Sequence, residues 1–214
     1  MTTKYLNRQE AGRILAENLR AYAKRNDVIV LALPRGGVPV AFEVSTALHV
    51  PLDVYIVRKL GVPGQSELAM GAIAAGGVVV FNDSVVKGYH IQPEEIDAVL
   101  QKEKQELARR EMAYRGTHDF PSLKHKTVIL VDDGIATGAS ARAAIKALRE
   151  LHPAKIILAV PVADDAMCHD MRPLVDELYC PLKPKDFYAV GAWYEDFSQT
   201  EDEEVYDLLK KANQ

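Results

Sequence analysis

Apolar positions along the chain follow two periods. Val28–Leu33 (VIVLAL) is apolar without interruption, as a central parallel strand covered on both faces must be. Stretches 52–57, 78–81, 127–131 and 155–160 are largely apolar and predict further strands. Between them the period lengthens. Ala11, Ile14, Leu15, Leu19 and Tyr22 share one helical face, and Asn7 followed by Glu10 predicts a capping box at its start. Helices are predicted over 40–48, 94–115, 139–151 and about 165–173. In the long helix 94–115 the apolar stripe is Ile96, Val99, Leu100, Leu107 and Met112, and the many charges read as a solvated face. Segment 59–77 is rich in Gly and Ala and poor in large apolar residues, which predicts a mobile loop or loose hairpin.

Strands alternating with helices define the α/β class: a parallel twisted sheet flanked by helices with right-handed crossovers. Ligands of such sheets sit at the carboxyl ends of the strands. No internal repeat or low-complexity linker divides the sequence, so residues 1–214 read as a single domain.

Composition narrows the classes. The chain has 214 residues, 48% of them apolar and 26% charged, with a formal net charge of −4. That is enough for one good core, and nothing in the charge suggests nucleic-acid binding. Neither a basic patch nor a helix-turn-helix pattern is present. Two cysteines, Cys168 and Cys180, make no disulfide framework and lack metal-ligand spacing; either fits plain core. The opening MTTKYLNRQE has no apolar run of a secretory signal, and no run approaches a membrane span, so a reduced, cytoplasmic setting is expected.

The chemistry concentrates in Val128–Ser140, VILVDDGIATGAS. A buried strand delivers two adjacent carboxylates, Asp132 and Asp133, to a short loop of small residues that opens a helix. Paired carboxylates can accept hydrogen bonds from vicinal hydroxyls. Backbone N–H groups of Ala136, Thr137, Gly138, Ala139 and Ser140 can wrap a phosphate at the positive end of the helix. A sugar diol with a phosphate beside it, such as ribose 5-phosphate, matches both halves. A second device, Leu33–Pro39 (LPRGGVP), follows the first strand: Gly36 and Gly37 allow close backbone approach to an anion, and Arg35 adds a bidentate donor.

VILVDDGIATGAS resembles the phosphoribosyl pyrophosphate (PRPP) signature of the type I phosphoribosyltransferases, departing from it at Gly134, where an apolar residue is more usual. The resemblance implies a core over about 26–165, a small hood from 1–25 and 175–214, and a helical insertion at about 82–124. It implies that Asp132 and Asp133 hold the ribose hydroxyls and that residues 136–140 grip the 5′-phosphate. Arg35, Gly36 and Gly37 would take the pyrophosphate, with Arg58 or Lys59 as a basic catalytic contact. A flexible lid over 61–76 would exclude water. Segment 185–197 loosely resembles the hood of the hypoxanthine-guanine branch, which implies an acceptor site at Tyr188 and Val190 and a Mg²⁺ contact at Glu195. A shift of one residue would move these roles to Phe187 or Asp196. The hypoxanthine-guanine branch carries an acidic residue where this chain has Ala136, and the adenine branch has Ala. The overall resemblance is to members without an assigned acceptor.

The activity implied is transfer of the phosphoribosyl group from PRPP, with Mg²⁺, to a nitrogen nucleophile such as a nucleobase, releasing pyrophosphate. A PRPP-binding regulator without transfer and a PRPP hydrolase are the alternatives. The expected partners are PRPP and a small nitrogenous acceptor, without nucleic acid or membrane; a homodimer stays open.

Overall fold

The computed structural model describes residues 4–214; residues 1–3 of the expected hood stretch lie outside the described residues. Five parallel strands form the core: β1 (Val28–Ala32), β2 (Leu52–Val54), β6 (Thr127–Val131), β7 (Lys155–Ala159) and β8 (Glu177–Tyr179), in the order β2-β1-β6-β7-β8. All five residues of both β1 and β6 are buried. Their alternate side chains feed two cores. Val28, Val30 and Ala32 face α1 (Arg8–Asn18), α2 (Gly37–Leu48) and α7 (Asp202–Ala212). Ile29 and Leu31 face α5 (Ala139–Arg149) and α6 (Asp165–Met171). This two-sided burial is why these strands carry no polar alternation.

The predicted capping box forms with one difference. Asn7 Oδ1 accepts from Glu10 N at 2.9 Å, but the Glu10 carboxylate accepts from Leu6 N at 2.6 Å, one residue before the cap. The expected strand 52–57 is two pieces. β2 stops at Val54, and β3 (Val57–Val62) leaves the main sheet to pair with β4 (Gln65–Ala74), which in turn pairs with β5 (Val78–Phe81).

Segment 59–77 is therefore an antiparallel hairpin inside a three-stranded sheet, the hairpin alternative of the sequence reading. Leu60, Met70 and Ile73 are its buried anchors, separated in sequence by small residues that dilute the hydrophobic signal. Its longest exposed run is residues 63–67, at the tip.

Helices α3 (Asp83–Gly88) and α4 (Pro93–Arg115) fill the stretch expected as a helical insertion. Two expectations about α4 need correction. Met112 is 59% exposed, whereas Leu107 and Tyr114 are buried. Met112 follows Leu107 by five positions, about 140° around the helix, while Tyr114 follows it by two turns. The charges of α4 are also not all solvated. Arg115 Nε donates to Asp53 Oδ1 and Oδ2 at 3.0 and 3.1 Å, and Arg58 of β3 pairs with Glu103 at 2.7 Å. Those partners come from strands far away in sequence, so the helical pattern alone could not reveal them.

Candidate functional site

β1 and β6 end level, Ala32 beside Val131, and Leu33 N donates to Val131 O at 2.9 Å. The loops after these strands thus emerge side by side at the carboxyl edge. The LPRGG loop and the acidic pair are in direct contact: a Cβ on Gly36 would fall on Asp133 Oδ2, and one on Gly37 would lie 2.8 Å from Val131 O. Only residues without side chains allow this approach. The Pro34–Arg35 peptide in this loop is cis.

The two carboxylates are held unequally. Asp132 Oδ1 accepts from Asp133 N at 2.8 Å. Asp133 Oδ2 accepts from Arg8 Nε at 3.0 Å, and Asp133 O accepts from the Tyr194 hydroxyl at 2.6 Å. Burial pushes the Asp132 carboxyl well above the usual carboxylate range, and the adjacent Asp133 charge adds to the rise. Burial also raises Asp133, with the Arg8 guanidinium working against it. Both carboxylates sit at the carboxyl edge, as expected, and both are half-buried there; the Asp133 side chain is only 14% exposed. Tyr194 reaches the Asp133 backbone, and Phe197 stacks on the Arg8 guanidinium that pairs with the Asp133 carboxylate.

The loop after the pair is pinned from two sides. Ile135 N donates to Val162 O at 3.0 Å beyond the end of β7. Gly138, the N-cap of α5, has φ +76°, and a Cβ there would crowd Met171 Cε and Met167 Sδ of α6. With no side chain at the cap, the first-turn N–H groups of α5 lack the usual partner, and Ala139 N has only Thr137 Oγ1 at 3.4 Å. Ala136, Thr137, Ala139 and Ser140 are exposed beside it. Gly134 is explained by its neighbours: a Cβ would lie 2.6 Å from Val190 Cγ1 and 3.0 Å from Val162 O.

The other expected site residues are placed as follows. Arg35 Nη1 lies 3.4 Å from Asp202 Oδ1 at the start of α7, and Tyr114 donates to the same oxygen at 2.8 Å. Arg58 is engaged by Glu103, and Lys59 Nζ lies 3.6 Å from Glu67 Oε2 near the hairpin tip. Tyr188 is 86% exposed and Val190 packs over Gly134. Glu195 is exposed, its backbone N–H donating to Tyr5 O at 2.8 Å. Among the described residues no three His, Cys, Asp or Glu side chains gather as a metal site.

Three site neighbours escaped the sequence reading: Arg8, Tyr194 and Asp202. For Arg8 a signal existed. It precedes Ala11 and Leu15 by three and seven positions, so it lies on the apolar stripe of α1, where an arginine needs a buried partner. Tyr194 and Asp202 carry no such local mark.

A strand-end acidic pair, a glycine loop packed on it and an uncapped helix N-terminus thus lie together at the carboxyl edge of the parallel sheet. Residues 2–173 match the family model described as the phosphoribosyl transferase domain, and the chain belongs to that family. Two Mycobacterium tuberculosis proteins, from strains H37Rv and CDC 1551, are each 47% identical over 207 residues, and each is provisionally named a phosphoribosyl transferase. The alignments cover 97% of this chain and 46% of each relative, so the chain spans about half the length of the curated relatives it matches. The crystal structure of TT1426 from Thermus thermophilus superposes with a TM-score of 0.86 at 36% identity, covering 98% of this chain and 99% of that one. The fold is accordingly the type I phosphoribosyltransferase fold without a defined acceptor.

Proposed function

We propose that the protein is a phosphoribosyltransferase that binds PRPP with Mg²⁺ and transfers the phosphoribosyl group to a nitrogen nucleophile, most simply a nucleobase, with release of pyrophosphate. The contact between the glycine loop and the acidic pair carries this reading, because it sets an anion cradle beside a diol acceptor at one sheet edge. Asp132 and Asp133 accept from the ribose 2′- and 3′-hydroxyls and face the positive charge that develops on the ribose. Backbone N–H groups from Ala136 to Ser140 hold the 5′-phosphate at the start of α5. Arg35, Gly36 and Gly37 take the pyrophosphate, with Lys59 as the basic contact from the hairpin; Arg58 reaches it only by releasing Glu103. The residues need no covalent nucleophile, since positioning and electrostatic stabilisation do the work.

Mg²⁺ suits the oxygen donors present. Glu195 offers an exposed carboxylate on a backbone held by Tyr5, and the remaining ligands would be substrate oxygens and water. When bound, the ion neutralises charge on the departing pyrophosphate. Tyr188 and Val190 are the acceptor contacts in this reading, Tyr188 by stacking on the base. The free thiols Cys168 and Cys180 fit a reducing, cytoplasmic setting.

The test is pyrophosphate release from PRPP across a panel of nucleobases. Acceptor-dependent release in the wild type, lowered ~10²-fold or more in Asp132→Asn/Asp133→Asn, supports the transferase. PRPP binding without release would indicate a regulator, and release without an acceptor a hydrolase.

A further inference from the structure

Asp133 is gripped by residues outside the PRPP signature. Its side chain accepts from Arg8 Nε at 3.0 Å, and Arg8 itself is only 9% exposed. The guanidinium is held twice more: Nη1 donates to Ser198 O at 2.7 Å, and its face lies 4.0 Å from the centre of the Phe197 ring. Three contacts in three directions leave it a single orientation. Among the described residues it is the one cation within salt-bridge distance of either carboxylate. Its hydrogen bond goes to Oδ2, the oxygen pressed against Gly36, and leaves Oδ1 free of Arg8.

We infer that Arg8 is a positioning residue for the ribose diol, fixing the Asp133 carboxylate through Oδ2 so that it meets the substrate hydroxyls in one geometry. The inference rests on the PRPP-binding reading above. Arg8 does not touch substrate; it acts through Asp133. It also offsets the repulsion between two adjacent buried carboxylates, which would otherwise turn apart or share a proton. Because its other anchors are Phe197 and Ser198, the diol site is ordered only when segment 194–198 lies in place.

Calorimetry with three ligands separates this from a general structural role: PRPP in the presence of Mg²⁺, ribose 5-phosphate and pyrophosphate. Arg8→Met keeps an unbranched apolar stem and removes the charge together with its stacking on Phe197. It is expected to weaken PRPP and ribose 5-phosphate by about 10-fold or more while leaving pyrophosphate within about 2-fold. Arg8→Lys, which keeps the charge without the fork, is expected to recover part of the loss, and it serves alone if Arg8→Met does not fold. In an Asp133→Asn background Arg8→Met should add less than about 2-fold, since its target is gone. Unchanged ribose 5-phosphate affinity in Arg8→Met, equal weakening of pyrophosphate, or losses that multiply in the double variant would each overturn the inference. Wild-type protein that binds neither PRPP nor ribose 5-phosphate would overturn the parent reading itself.

Discussion

Val190 Cγ1 stands where a side chain on Gly134 would begin, 2.6 Å from the position of its Cβ. Gly134 is the one place where the acidic-pair signature departs from its usual apolar residue. The apolar group is present all the same, supplied by the short 3₁₀ turn Val190–Trp193 from the far end of the sequence.

A side chain restored at position 134 should overfill that contact. Gly134→Ala is expected to lower stability by roughly 1–3 kcal/mol, the range for overpacked cores. Val190→Ala in the same background should return part of the loss in urea unfolding. No recovery would mean that Val162, whose Cγ1 and O both lie 3.0 Å away, is the obstacle.

Asp132 should trade stability against function. Its native pKa lies above the ordinary carboxylate value, so the ionised form is penalised in the folded protein. Such a group contributes stability fully below about pH 3.9, and the contribution is lost as pH rises through the raised native value. Asp132→Asn is therefore expected to melt above the wild type at pH 8, with the gap closing by pH 4, while PRPP-dependent turnover falls. Melting curves that coincide at every pH would show that the carboxylate is not destabilised by burial.

Gly138 is expected to matter for folding as well as for phosphate. An alanine at φ +76° meets a left-handed penalty of about 1–2 kcal/mol, before any rearrangement of Met167 and Met171. Gly138→Ala should lower both the unfolding midpoint and ribose 5-phosphate affinity. Loss of stability with intact affinity would remove the loop from the phosphate site.

The acidic start of α7 competes for Arg35. Asp202→Asn should strengthen pyrophosphate binding by about 2- to 5-fold at low salt, the scale of an exposed ion pair, and less at high salt. Product inhibition by pyrophosphate reads this directly, and an unchanged inhibition constant would count against a role for Arg35 there.

Hydrogen exchange should divide the hairpin. Amides of Leu60, Met70 and Ile73 are expected to be protected in the free protein and residues 63–67 to exchange fast. Slowing at the tip alone, with PRPP and an acceptor analogue bound, would confine the lid to that tip. Fast exchange at Leu60 would instead favour a wholly mobile segment.

What the sequence disclosed follows from where each signal lies. VIVLAL and VILV are uninterrupted runs, so their strands and parallel arrangement were readable, and so was the loop edge they deliver. The sequence leaves loop and hairpin open at 59–77 because Leu60, Met70 and Ile73 are diluted by glycines and alanines, and it gives no sign of β8, whose three residues are only half-buried. Helix α7 went unread although Val205 and Leu209 are buried, since acidic residues crowd its first turn. Within the site, the residues on the strand-end loops were legible from local chemistry. Arg8, Tyr194 and Asp202 were not assigned, because each takes its role from a partner at least 60 positions away.

The bridge between Tyr5 and Tyr194, together with the Arg8 bond to a carbonyl 190 residues later, has a consequence for biogenesis. Translation delivers β1, β6 and β7 before it delivers residues 194–198. A nascent chain on the ribosome can build β1, β6 and β7 and display both aspartates, yet its Arg8 lacks two of three anchors and Asp133 lacks the Tyr194 phenol. On the PRPP-binding reading proposed above, ligand competence is then a late step of maturation, reached only after residue 198 clears the exit tunnel.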